Sequence, residues 1–244
     1  TDEDLRAQFE REARITASIN HPNVVQVYSV GWDQGYFYIA MELLDSASLE
    51  EQIETYQRLD EVTSMRLLHE VVLGLAHAHS AGLIHRDIKP GNILVNQAGT
   101  GKLVDFGLAL AQGGENENLA EWATPFYVPP EKLVGKPEDF RSDIYSLGAT
   151  LFHMLAGHPP YEANTDSMAE LIQIKSQPVD IRRSQAPRLN DKTVQLVHKM
   201  MAHAPGQRHV SYKELIDEIE EIRDAIDPAF SLPKVSTGLP LWAK

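Results

Sequence analysis

The sequence predicts an α+β fold in which a short β-rich part precedes a mainly helical remainder. Three observations carry this expectation. β-branched and aromatic residues concentrate between Val24 and Leu43, apolar residues recur at threes and fours over most of the later chain, and 244 residues at 43% hydrophobic suffice for one large core or two small ones. Taken in order, Leu5, Phe9, Glu12 and Thr16 share a helical face behind the capping candidates Asp2 and Asp4, which predicts an opening helix over 5–19. His21-Pro22-Asn23 breaks it. The runs 24–32 and 36–43 flank Asp33-Gln34-Gly35 and predict an antiparallel hairpin, and Asp45-Ser46-Ala47-Ser48 reads as a polar hinge. Met65, Leu68, Val72, Leu75 and His79 predict a long helix ending near Ser80-Ala81-Gly82. Short strands are expected at 93–95 and 103–104, around the turn 97–101. Residues 107–131 lack periodicity and predict a long loop, the kind of segment that usually carries function. Three later helices are marked by Ile144, Leu147, Leu151 and Leu155, by Val194, Val197 and Met201, and by Leu215, Ile219, Ile222 and Ile226. Beyond Asp227-Pro228 the pattern dissolves into a tail.

Composition removes several classes of function. With 22 basic and 35 acidic residues the net charge is -13, which argues against a nucleic-acid binder or an anionic-membrane binder, since both need clustered positive charge. The absence of cysteine excludes disulfides, thiolate metal sites and a cysteine nucleophile. The most apolar stretch, 71–84, is 14 residues long and contains His77 and His79, whereas a membrane-spanning helix needs about 20 apolar residues. Those two histidines project about 200° apart on a helix and cannot share a metal ion as a pair. The acidic start without an initiating methionine resembles no targeting peptide and reads as a piece of something longer.

The chemistry concentrates in His85-Arg86-Asp87-Ile88-Lys89-Pro90-Gly91-Asn92, followed by Asp105-Phe106-Gly107. With Ala123 to Glu131 and Asp143 to Gly148 in order behind them, these motifs resemble the protein kinase family, and the resemblance runs to about Ile226. Lys89 and Thr124 resemble the serine/threonine branch, and Leu155 to Tyr161 the bacterial eukaryotic-like kinases. The resemblance implies a bilobal fold: a partial N-terminal lobe over 1–44, a helical catalytic lobe over 45–226 and a tail or linker over 227–244. It implies ATP and Mg²⁺, or Mn²⁺, as cofactors, serine- or threonine-bearing proteins as substrates, and a cytoplasmic kinase domain whose full-length protein could carry an anchor.

Physical chemistry agrees with the implied roles. Phosphoryl transfer needs cations to neutralise phosphate charge and an acceptor for the hydroxyl proton. By resemblance Asp87 is that acceptor, Lys89 lies near the transferred phosphate, and Asn92 and Asp105 offer the hard oxygen ligands that suit Mg²⁺. Met41 would be the gatekeeper, Glu42 and Leu44 part of the adenine-binding hinge, and Leu94 the floor under the base. The family further assigns His85 to a packed spine with Phe106 and sets Gly107 behind the metal-binding aspartate. It makes Asp143 an anchor for the catalytic-loop backbone and pairs Glu131 with Arg208 in a buried ion pair. Arg86 would receive a phosphorylated loop residue. Between Gly107 and Glu131, however, the only hydroxyl residues are Thr124 and Tyr127, so Glu117 or Glu121 is expected to stand in for the phosphate.

Two family elements are missing, the Gly-rich loop and the strand lysine, and no lysine precedes Lys89. Glu12 occupies the place of that lysine's ion-pair partner. The favoured expectation is a chain that starts just downstream of the missing segment and is inactive alone. A pseudokinase scaffold is the second reading. A small-molecule phosphotransferase of the same fold is the third, with the Pro-Pro-Glu-terminated segment against it.

Overall fold

The computed structural model describes residues 13–34, 36–106, 126–161, 167–181 and 189–227. Of the site residues named above, Glu12, Gly107, Glu117, Glu121 and Thr124 lie outside this set, as do Asp2, Asp4, Leu5 and Phe9 of the expected opening helix, Gly35 of the expected turn and the expected tail beyond Asp227. Helical turns over 13–18 open the described part and bury Ala13 and Thr16. The chain then docks on the body before any hairpin begins. Leu103 N donates to Asn23 O (2.9 Å), Val25 N to Leu103 O (2.8 Å) and Asn23 Nδ2 to Gly101 O (2.9 Å). The expected hairpin therefore starts later than its β-branched residues suggest, because 23–25 are held by another strand.

Strands β1 (Val27–Asp33) and β2 (Tyr36–Met41) pair antiparallel from Asp33 opposite Tyr36 to Val27 opposite Met41, with an irregularity between Val27 and Ser29. A second sheet joins β3 (Ser46–Ser48), β4 (Ile93–Asn96) and β5 (Gly101–Leu103), all antiparallel, with β4 in the centre. The expected polar hinge is thus partly a strand: three polar or small residues carry no β signal of their own, and β4 supplies the backbone partners. Ser48 then caps α1 (Leu49–Tyr56) in a reciprocal capping box with Glu51, satisfying amides the first turn leaves open.

The long helix is α2 (Glu61–Ser80), started by Asp60, whose side chain accepts Thr63 N at 2.9 Å. Its stripe of Met65, Leu68, Val72 and Leu75 is buried as the spacing predicts, whereas His79 is exposed, its ring tilted against Phe140 and T-shaped to Tyr212. The short α3 (Pro130–Leu133) closes the segment that the sequence reads as a loop. Helix α4 (Phe140–Ala156) is buried along nearly its whole length and packs on α2 and on α6 (Asp191–Met200), while α7 (Tyr212–Ile226) also packs along α2. At Gly148 a Cβ would stand 2.8 Å from Met200 Cβ and 2.9 Å from Met201 Cγ, so α4 and α6 approach this closely only because the side chain is absent. One further helix, α5 (Met168–Lys175), was not expected from the sequence. It is two turns long, and the run Leu171-Ile172 with Ile174 gives no clean helical stripe.

Candidate active site

The site is built where β4, β5 and the loop after α2 converge. The backbone there is unusual, since Arg86 and Asp105 take φ of 66° and 62°, left-handed values that cost a residue with a side chain energy and persist only when the surroundings enforce them. The enforcement at Arg86 is visible. Asp143, on the buried α4 and 1% exposed, accepts His85 N at 2.9 Å on one oxygen and Arg86 N at 2.8 Å on the other. Burial pushes the Asp143 carboxyl up to about 7, against the pull of those two amides, so its ionised form depends on their staying in place.

His85 supports the same loop from inside. Its Nε2 lies 3.0 Å from Val104 O and its Nδ1 accepts Asp87 N at 3.3 Å, which assigns the proton to Nε2. Its ring packs against Phe106 with centroids 4.6 Å apart, and burial lowers its pKa to about 4. It is a neutral packing residue with both nitrogens committed, not a base.

The half-exposed Asp87 is held from two directions. Asn92 Nδ2 donates to Asp87 O (2.7 Å) and to Asp87 Oδ2 (2.9 Å), and Lys89 Nζ sits 2.9 Å from the same Oδ2. Asn92 is itself locked by a one-turn 3-10 segment (Pro90–Asn92) and by Val104 N, which donates to its carbonyl at 3.1 Å. With the Asn92 amide nitrogen spent on Asp87, the side-chain oxygen is the atom it can offer a cation. Asp105 stands close enough to feel Asp87: partial desolvation first, then the Asp87 charge, raises its pKa, and Lys89 opposes the rise. Two like-charged carboxylates beside an amide oxygen, with one carboxyl hard to ionise, is a donor set that a hard divalent cation would relieve. Among the described residues no three histidine, aspartate or glutamate side chains are grouped so as to hold a metal ion, so such a cation would need to complete its shell from water or phosphate oxygens.

The expected nucleotide residues lie along the adjoining edge. Glu42 N donates to Gln26 O (2.9 Å), and its carboxylate accepts Gln26 N (2.8 Å) and Lys102 Nζ (2.5 Å). Lys102 in turn is the register partner of Leu94 across β4 and β5, which brings the hinge beside Leu94. Glu42 therefore has its carbonyl left to offer a base. Met41 is 38% exposed, and Leu44 and Leu94 are half-buried.

Glu131 and Arg208 meet in a buried bidentate pair, with Nη1 to Oε1 at 2.6 Å and Nη2 to Oε2 at 2.8 Å. Two residues near it escaped the sequence reading. His153 Nδ1 lies 2.6 Å from the Tyr127 hydroxyl, and Lys175 Nζ donates to Phe126 O at 2.9 Å. Neither has a motif; a lysine within an apolar run of a short helix was the sole available signal.

A family model described as protein kinase domain matches residues 1–218. The chain belongs to the protein kinase family. It is similar to a probable serine/threonine-protein kinase of Streptomyces coelicolor, 31% identical over 236 residues that cover 91% of this chain and 34% of the relative. The serine/threonine-protein kinase PrkC of Bacillus subtilis is 29% identical over 226 residues, covering 92% and 35%, and PknJ of Mycobacterium tuberculosis 34% identical over 220 residues, covering 87% and 37%. This kinase chain thus spans about a third of the length of these curated relatives. Among its described residues no helix is long and apolar enough to cross a membrane.

Proposed function

We propose that this kinase chain forms the catalytic part of an ATP-dependent serine/threonine protein kinase, with 45–226 as the catalytic lobe and 1–44 as part of the small one. The observation that carries the reading is Asp87: a half-exposed carboxylate fixed by Asn92 and Lys89, on a loop whose strained backbone Asp143 holds. Asp87 accepts the proton of the attacking serine or threonine hydroxyl. Lys89 places positive charge beside the same carboxylate, where a transferred phosphoryl group would carry negative charge. Asn92 through its amide oxygen and Asp105 through its carboxylate hold the divalent cation, Mg²⁺ or Mn²⁺, which when bound supplies charge neutralisation for the phosphates. Glu42 and Leu44 present backbone to the adenine above Leu94, with Met41 at the edge. The names of the relatives support serine and threonine as acceptors, as does Lys89.

The test is phosphoryl transfer from labelled ATP to a generic protein substrate by the full-length gene product and its Asp87→Asn variant. Removing a positioned proton acceptor is expected to cost about 10²- to 10⁴-fold in rate. Because Asp87 is half exposed, the melting temperature should hold within about 1 °C. A variant as fast as the parent would remove Asp87 from the reaction, and a parent that transfers nothing would return the chain to the scaffold reading.

A further inference from the structure

Between the first turns of α2 and the last turn of α7 lies a cavity of about 210 Å³ that shares no residue with the catalytic loop or the nucleotide edge. Val62 and Ile226 are its apolar walls, Arg66 lines it from α2 and Arg223 from α7, and Thr63 and Asp227 complete the lining. All six residues are half-buried. Pockets for drug-sized ligands run from about 300 to 1,000 Å³, so this one is too small to enclose a nucleotide and suits a smaller molecule.

The charges around the cavity decide what kind of molecule. Arg66 is matched, since its Nη1 donates to Glu70 Oε1 (3.0 Å) and to Gly99 O (2.6 Å), while Glu70 Oε2 accepts Gly101 N (2.7 Å). The Thr63 hydroxyl donates to Asp60 at 2.7 Å. Arg223 is different. Its guanidinium makes one hydrogen bond and no ion pair with the described residues: Nη1 donates to His69 Nδ1 at 2.9 Å, and His69 Nε2 donates to Glu220 Oε1 at 3.2 Å. A histidine that accepts on one nitrogen and donates from the other is neutral, and burial followed by the Arg223 charge lowers its pKa. The Glu220 carboxylate is thus bound to the far nitrogen of the ring. Asp227 makes no ion pair with Arg223 either; its amide donates to Arg223 O at 2.9 Å. A half-buried guanidinium without a counter-ion is costly, and an anion in the cavity would remove that cost.

We infer that this cavity is a binding site for a small monocarboxylate whose carboxylate takes the unused N–H groups of Arg223 and Arg66 and whose apolar body lies against Val62 and Ile226. A planar carboxylate matches the guanidinium fork. One negative charge balances the one unmatched cation, whereas a phosphate dianion overshoots it beside Asp227. The site also reaches the β4–β5 turn. Arg66 holds that turn at Gly99 O and, through Glu70, at Gly101 N; β4 carries Leu94 and β5 leads on to Asp105. A ligand that fixes the Arg66 side chain therefore steadies the turn, and the Gly101 amide exchanges more slowly when the cavity is filled.

The experiment titrates benzoate calorimetrically into the full-length gene product, with excess ADP present to occupy the nucleotide edge. Binding is read without phosphoryl transfer, so its outcome is independent of the kinase reading. The expected result is saturable binding with a Kd of about 1 mM, within reach of a ligand this small. Benzamide, which keeps the shape and lacks the charge, should bind about tenfold more weakly, the factor a charge-assisted hydrogen bond carries. Arg223→Gln should lose about the same factor. Because that variant also releases His69, Val62→Trp serves as the second: it keeps both arginines, fills the space and should abolish binding. Hydrogen exchange at Gly101 should slow in the parent at saturating benzoate. No saturation up to about 10 mM, binding undiminished in both variants, or benzamide as tight as benzoate would overturn the site. Unchanged exchange at Gly101 would overturn its link to the β4–β5 turn.

Discussion

Replacing Arg208 by alanine tests how the segment before α3 is tied to the helical body. The guanidinium has five N–H groups and all five are used: two on Glu131, and one each on Ala202 O (2.9 Å), Arg141 O (2.9 Å) and His203 O (3.2 Å). Its side chain is 0% exposed and that of Glu131 is 5% exposed, so solvent cannot replace what the variant loses. Burial alone raises the Glu131 pKa, yet the hydrogen bonds and charge of Arg208 outweigh it and leave the value lowered. Removing one member of such a pair strands the other charge, at about 3 to 5 kcal/mol. For a domain of this size that corresponds to a fall in melting temperature of about 6 to 20 °C. Calorimetric scans of Arg208→Ala, Glu131→Ala and the double variant would measure it. The double variant should be less destabilised than the sum of the singles, because no charge is then left alone. A single-variant shift under about 2 °C, or strict additivity, would mean that the two charges do not depend on each other for stability. Since the folded Glu131 pKa is depressed, its share of stability is present above the usual glutamate value and is lost as pH falls through the folded one.

Two further outcomes follow from buried geometry. His85, with its pKa lowered to about 4, should show imidazole resonances that do not titrate between pH 5 and 8; between pH 6.5 and 4 the unfolded chain binds the proton that the folded chain refuses, so stability should fall by up to about 1.4 kcal/mol per pH unit on acidification. A His85 titration midpoint near 6.5 would contradict the assigned packing. Gly148→Ala should destabilise by about 1 to 3 kcal/mol in denaturant unfolding, because the new methyl meets Met200 Cβ at 2.8 Å on a facing helix; an unchanged midpoint would mean that α4 and α6 separate freely.

The site was legible where its residues are consecutive. The stretch from His85 to Asn92 and the following Asp105-Phe106 are local signatures, and the hairpin, the long α2 and the stripes of α4, α6 and α7 are local periodicities, so each could be read from the chain alone. Local signals were therefore enough for the family, the order of elements and the acids that could do the chemistry. Tertiary structure decided the rest. Ser46–Ser48 is a strand only because β4 offers it partners, and 23–25 leave the hairpin because β5 claims them. The strained backbone at Arg86 needs Asp143, far along the chain, to hold two amides at once, and Glu42 reaches its partner Lys102 across another strand. Lys175 is the extreme case. A lysine ordinarily marks solvent, and only the packing of α5 under Phe126, between two tyrosine rings, turns it into an internal donor. Periodicity and motifs report what a residue does to its neighbours in sequence. Burial, strain and the pairing of distant charges depend on which surfaces meet, and that is settled only when the chain closes on itself.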